Sequence, residues 1–262
     1  MSVASARLTR LTPEARAAAT DHVAVEVPVA FVYNCANHAV MMASPHDLED
    51  LAVGFTLAEG IAGNESEIEA LTVLPHTDGI TLRLDIAAEL AAALASRRRA
   101  LEGRTSCGLC GVTEIAQALR PLRPLPNGGT VPAEAVERAL RALPHLQTAN
   151  ALCGGMHAAA LADLAGELML AREDVGRHTA LDKLIGAVAR AGASPATGFV
   201  VLTSRCSMEM VQKAVTAGVR VLVAVSAPTT LAIQIAERAN LTLAAFARGH
   251  RLNVYTHPER II

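Results

Sequence analysis

The chain has 262 residues, 52% of them apolar and 18% charged, with a formal net charge of −2. That mixture excludes a disordered chain and a nucleic-acid coat, both of which need more charge and fewer apolar side chains. Only four Phe and two Tyr are present, with no Trp, which argues against base-stacking platforms and leaves the core to Ala, Val, Leu and Ile.

Residues 1–20 read as a loose arm with no apolar h-region, so they are not a signal peptide. The longest stretches free of Asp, Glu, Lys and Arg, 27–46 and 142–162, are broken by Pro, Asn and His and would not cross a bilayer. Five cysteines at sparse positions are an odd count for a secreted disulfide framework, so the expected location is the cytoplasm. Residues 22–34 and 38–44 read as two strands joined by a turn at Cys35–Asn37. Ser44-Pro45-His46-Asp47 is a helix start, with Ser44 as N-cap, and the helix runs to Gly60. Strand-like segments follow at 68–74 and 79–86, then an Ala-rich helix at 87–101.

Residues 104–119 hold a Gly-punctuated Cys pair leading into a short helix, and the proline-rich stretch 121–132 reads as a linker. Beyond it come a helix at 133–143, strands at 156–163 and 167–173, and a helix at 175–191. The runs 198–204, 220–226 and 241–247 are short and continuously apolar, as strands buried on both faces must be. Helices at 207–217 and 229–239 separate them, and a last strand at 252–257 folds back as a hairpin. The expected class is α/β, an open sheet with right-handed crossovers.

Ligands of such sheets bind beyond the carboxyl ends of the strands. Here those ends are Ser204-Arg205-Cys206-Ser207, Ser226-Ala227-Pro228-Thr229 and Ala247-Arg248-Gly249-His250-Arg251. Helix N-termini, hydroxyls and arginines together suit a phosphate or diphosphate. Of the 23 cations only Lys183 and Lys213 are lysines, which marks them as candidates for places needing a compact ammonium.

Cys107-Gly108-Leu109-Cys110 is the only close thiol pair. Structural zinc usually needs a second pair or a paired His, and Cys153 and Cys206 are isolated. A thioredoxin-like site would follow a strand directly. The zinc deaminase signature needs an upstream H-x-E and a Pro before the first Cys, whereas Ser106 precedes Cys107 and no H-x-E lies upstream. A flexible thiol pair at a helix start remains, where the thiol pKa falls and a nucleophilic thiolate can carry sulfur as a persulfide. The 104–113 segment is expected to be mobile without partners.

The blocks MMASPHDLEDLAVGFTLAEGI (41–61), SCGLCG (106–111), GGMHAAAL (154–161), REDVGRHTALDKLIG (172–186), SRCSMEMVQK (204–213), SAPTTLA (226–232) and FARGHRLNVYTHPERI (246–261) are similar to the formate dehydrogenase accessory sulfurtransferases, the FdhD family. The resemblance covers about 22–261. It implies a sulfur carrier that takes sulfur from a cysteine desulfurase and passes it to the Mo-bis(molybdopterin guanine dinucleotide) cofactor of an apo formate dehydrogenase. It implies Cys107 as persulfide carrier with Cys110 assisting, and a cofactor stretch at Phe246, Ala247, Arg248, Gly249, His250 and Arg251, with GDP as a fragment ligand. It further implies a C-terminal three-layer α/β/α domain resembling the cytidine deaminase fold (126–262), a smaller N-terminal α+β domain (1–125), and a homodimer. No metal site, nucleic acid or membrane partner is expected. Ser204, Arg205, Ser226 and Thr229 join the cofactor residues on topology. Among the other block residues, which include His157, the acid pair Glu173-Asp174 followed by Arg177-His178 could bind guanine, close the pocket or form a structural salt-bridge cluster. A non-catalytic cofactor chaperone is the alternative of a different class, though it would have no use for the Cys pair.

Overall fold

In a computed structural model, residues 2–102 and 121–262 are described. Cys107, Cys110, the expected helix at 104–119 and the 104–113 segment lie outside the described residues. The apolar runs of the last third form the centre of a six-stranded sheet in the order β12-β11-β10-β9-β7-β8. Its strands are β7 (His157–Asp163), β8 (Leu168–Asp174), β9 (Gly198–Leu202), β10 (Val221–Ala224), β11 (Thr242–Arg248) and β12 (Arg251–Val254). β9, β10 and β11 are mutually parallel, and β7 and β12 run antiparallel to their neighbours.

Every residue of β9 and β10 is buried, because both faces of the sheet are covered. On one face lie α5 (Arg177–Arg190), α6 (Met208–Thr216) and α7 (Thr230–Arg238), packed over Leu161, Val200, Leu202, Leu222 and Leu243. On the other lies α3 (Ala133–Leu146), with Val136, Ala139 and Leu143 against Phe199, Val201 and Val223. The result is three layers. A short α4 (Thr148–Cys153), absent from the sequence expectation, follows α3 at once.

The first part of the chain builds a second sheet, in the order β4-β3-β6-β5. It comprises β3 (Val27–Tyr33), β4 (Ala36–Ala43), β5 (Ile68–His76) and β6 (Gly79–Ile86). The turn between β3 and β4 is Asn34–Cys35 rather than 35–37, and both residues have positive φ, as the twist of a two-residue hairpin demands. Helix α1 (Leu48–Ala58) lays Leu51 and Phe55 on this sheet beside Phe31 and Leu82. α2 (Ala88–Glu102) contributes Leu90, Ala91 and Leu94 to the same core.

Two expectations fail here. Residues 1–20 are not a loose arm: β1 (Val3–Leu11) and β2 (Arg16–Ala24) form an antiparallel hairpin in unbroken register. The segment 22–34 is accordingly split, since β2 ends at Ala24 and β3 starts at Val27. Ser44 is not an N-cap. α1 begins at Leu48 behind Asp47, which adopts φ 49° and makes no side-chain cap. The backbone N–H of Ser44 instead donates to Asp174 Oδ2 at 3.0 Å, and its hydroxyl accepts from Val175 N at 3.2 Å.

Those bonds belong to a junction between the two sheets. α1 is buried nearly all round because its second face packs on α5. A Cβ on Gly54 would stand 1.6 Å from the Asp182 carbonyl oxygen, and one on Gly186 would stand 1.9 Å from that of Asp50. The helices can cross this closely only because each lacks a side chain there. Both lysines of the chain close the same junction. Lys183 Nζ lies 2.6 Å from Asp174 Oδ2, with both side chains wholly buried, and donates to the Ser44 carbonyl at 3.1 Å. Lys213 Nζ donates to both oxygens of Asp182 at 2.8 and 2.9 Å and to Glu59 Oε1 at 2.9 Å. Asp50 binds Arg172 and Arg190.

Candidate ligand cleft

Because β8, β9, β10 and β11 all end at one edge of the large sheet, the N-termini of α5, α6 and α7 gather at that edge. The loops after β9 and β10 run side by side: Cys206 N donates to the Ala227 carbonyl, and Thr229 N donates to that of Cys206, each at 3.1 Å. Beside them, under α3, opens a cleft of about 810 Å³. One wall is the β11–β12 hairpin tip, Ala247 to His250, and the opposite wall is α3 with Glu137, Leu140 and Arg141. Gln147, Asn150, Met156, His157, Thr203 and Val225 complete the lining.

The tip is shaped by a bulge between Ala245 and Arg248, where Phe246 takes φ 52°, and by Gly249 at φ 57°. Such backbone offsets re-aim side chains at the end of a ladder. Arg248, a lining residue of the cleft, donates its Nε to the Val225 carbonyl at 3.2 Å. His250 Nδ1 lies 3.2 Å from Glu137 Oε2 and ties the tip to α3.

The expected site residues therefore divide. Ala247, Arg248, Gly249 and His250 line the cleft, whereas Phe246, Arg251, Ser204, Arg205, Ser226 and Thr229 are not among its lining residues. Arg251 stacks over the Phe246 ring at 5.2 Å rather than clamping beside Arg248. The Thr229 hydroxyl caps α7 by accepting from Ala232 N at 3.2 Å, and Ser204 donates to the Arg205 carbonyl at 2.9 Å. The α3 wall was missed because Glu137 and Arg141 sit at i and i+4 and read as an ordinary helix pair.

The acid pair before α5 is structural. Glu173 accepts from Ala149 N and Asn150 N at 2.8 and 2.9 Å and so caps α4. Asp174, already holding Lys183 and Ser44, also accepts from Gly176 N and the Thr179 hydroxyl. The following Arg177 and His178 are different. Arg177 Nε and His178 Nε2 are shielded from solvent and have no hydrogen-bond partner among the described residues, a condition that costs about 1–3 kcal/mol per group. Burial, then the neighbouring Arg177 guanidinium, pushes His178 down to about 4. His157 is lowered by burial and Arg177 in the same order, against a smaller opposing pull from Asp174. Both imidazoles are neutral at pH 7.

Two of the three thiols within the described residues are ill placed for sulfur chemistry. Burial pushes the Cys206 thiol up to about 12. Cys153 turns its Sγ to the Ala149 carbonyl at 3.2 Å, and Cys35 occupies an exposed turn in the other sheet.

Comparison with known proteins agrees with this architecture. The sulfur carrier protein FdhD of Variovorax paradoxus is 52% identical over 241 residues, covering 92% of this chain and 87% of that protein. Its counterpart from Bordetella bronchiseptica is 47% identical over 242 residues, covering 92% and 88%. A crystal structure from Desulfotalea psychrophila, described as that of a candidate formate dehydrogenase accessory protein, superposes with a TM-score of 0.77 at 25% identity over 99% of each chain. With residues 24–262 matching the FdhD/NarQ family, the chain belongs to that family.

Proposed function

We propose that the protein is a sulfur carrier that accepts sulfur from a cysteine desulfurase on Cys107 and delivers it to the Mo-bis(molybdopterin guanine dinucleotide) cofactor for a formate dehydrogenase. The observation that carries the reading is the 52% identity, over 92% of the chain, to a protein named as a sulfur carrier. The cysteines add support: Cys206 is buried, Cys153 turns to a backbone carbonyl, Cys35 stands alone in the other sheet, and only Cys107 and Cys110 are spaced as a pair.

The chemistry balances on that pair alone. The Cys107 thiolate attacks the outer sulfur of the desulfurase persulfide, and the donor cysteine leaves as a thiolate. The Cys110 thiolate then attacks the inner sulfur of the Cys107 persulfide. A Cys107–Cys110 disulfide forms and hydrosulfide leaves, so the pair supplies two electrons and a cellular thiol afterwards reduces the disulfide. The cleft under α3 is the place for a guanine nucleotide arm of the cofactor, with Arg248 on its phosphates. The order α3-β7-β8-α5-β9-α6-β10-α7-β11 is what a cytidine deaminase-like domain would need, and it supports placing the cofactor at the strand ends.

Mass spectrometry after incubation with a desulfurase and cysteine tests the reading. One sulfur atom should add to the wild type, be lost on reduction, and be absent from Cys107→Ala. Unchanged labelling of Cys107→Ala, or unchanged formate dehydrogenase maturation in cells carrying it, would overturn the assignment.

A further inference from the structure

We infer that Arg177, flanked by His157 and His178, forms a binding site for a compact anion beside the cleft. The side chains come from two places that the fold brings together: the first residue of β7 and the first two of α5. Among the described residues Arg177 has no carboxylate within ion-pair distance, and its Nε is both shielded and unpartnered. Two other half-buried or buried arginines are engaged: Arg172 with Asp50 and Arg260 with Asn240. His178 repeats the pattern with its shielded, unpartnered Nε2. A cation left without a counter-ion beside a cleft is what an anionic ligand requires.

Nearby acids do not fill the place. Asp174 is saturated by Lys183, Ser44, Gly176 and Thr179, and Glu59 is held by Lys213. Glu209, at the start of α6, feels the charge of Arg177, but it is exposed and water-screened and makes no ion pair with it. With both imidazoles neutral, the anion meets one full positive charge and two ring nitrogens that can donate. α5, fourteen residues long, adds its first N–H groups, since Gly176 provides no side-chain cap. His157 also lines the cleft, so the site is contiguous with it.

The ligand chemistry is that of a small, multiply solvated anion made to shed its water, and two sources supply it. One is a phosphate of the nucleotide arm; the other is the hydrosulfide released from the Cys pair. The inference deepens the function proposed above and rests on it only for the choice between these sources.

Inorganic pyrophosphate and sodium sulfide, titrated separately and followed by the His157 and His178 ring resonances in NMR, test it. Each imidazole should shift saturably with at least one probe, and Arg177→Gln should weaken that probe at least tenfold while Arg177→Lys retains part of the binding. Arg177→Gln should melt at the wild-type temperature, because the shielded Nε has no partner to lose. A response to pyrophosphate alone assigns the phosphate source, and a response to sulfide alone assigns the sulfur source. Unmoved ring resonances with both probes, or equal affinity in Arg177→Gln, would overturn the site and leave persulfide loading of Cys107 untouched. If Cys107 failed to load while Arg177 still bound pyrophosphate, the sulfur-carrier reading would fall and the anion site would stand.

Discussion

The α1–α5 junction and the cleft edge are both built from charged side chains, and they use them in opposite ways. At the junction every charge has its partner: Lys183 with Asp174, Lys213 with Asp182 and Glu59, Asp50 with two arginines. At the cleft edge, Arg177 has none, and Arg248 spends only its Nε on a backbone carbonyl. Fixed pairs of this kind hold two sheets in one arrangement, whereas cations without counter-ions hold nothing until a ligand arrives. Charge alone therefore does not tell the two regions apart. Satisfaction does.

The comparison is broken first at the junction. Asp174→Ala should cost about 3–5 kcal/mol in urea denaturation, because it leaves Lys183 buried without its carboxylate and with only the Ser44 carbonyl as partner. Replacing both partners by apolar residues of similar volume should cost less than that single change. A single substitution costing under about 1 kcal/mol would mean that water or relaxation serves Lys183 and that the junction is not fixed by its pairs.

At the cleft edge the matching test is acid. His178 titrates at about 4 in the folded protein against an ordinary 6.5. The unfolded chain therefore binds a proton first as the pH falls, so stability is full above about 6.5 and declines toward pH 4. Discounted for partial exposure, the loss should be about 1–2 kcal/mol. His178→Gln should flatten that decline in denaturation curves taken between pH 7 and 4. An unchanged acid limb would show that another group carries it.

The smallest effect sharpens the boundary between scaffold and site. Thr229→Ala removes the α7 cap and should cost about 1 kcal/mol of stability with no change in GDP affinity. Arg248→Ala should do the reverse, leaving the melting temperature in place and weakening GDP by about tenfold to a hundredfold in calorimetry. A loss of GDP binding in Thr229→Ala would return that residue to the ligand site.

Much of this was legible along the chain, for reasons tied to burial. The β9, β10 and β11 runs are covered on both faces, so Val, Leu and Ala crowd into them and announce the sheet. The β1–β2 hairpin is exposed over most of its length, so nothing selects an apolar face and its alternation is invisible. Ser44-Pro45 has the local grammar of a helix start, but the partner that claims Ser44 lies 130 residues away, where no local pattern can reach. The scarcity of lysine did point to Lys183 and Lys213, and the structure spends both on the junction. The strand-end rule pointed to the hairpin tip, and Ala247, Arg248, Gly249 and His250 do line the cleft. It could not tell which hydroxyls were already used as caps, because Thr229 looks the same in sequence whether it binds a ligand or Ala232.

The Gly54–Asp182 and Gly186–Asp50 contacts have a consequence for how the protein is made. As the chain leaves the ribosome, α1 and the small sheet emerge first, carrying Asp50, Glu59 and the Ser44 carbonyl with their partners still unsynthesised. At roughly 5–20 residues per second, Lys213 follows Glu59 by on the order of ten seconds or more. During that interval a helix meant to be buried on two sides has only one side covered. The nascent first half is therefore a client for holding factors until α5 arrives, and a stall in translation between these segments would be felt as aggregation rather than as a stable fragment.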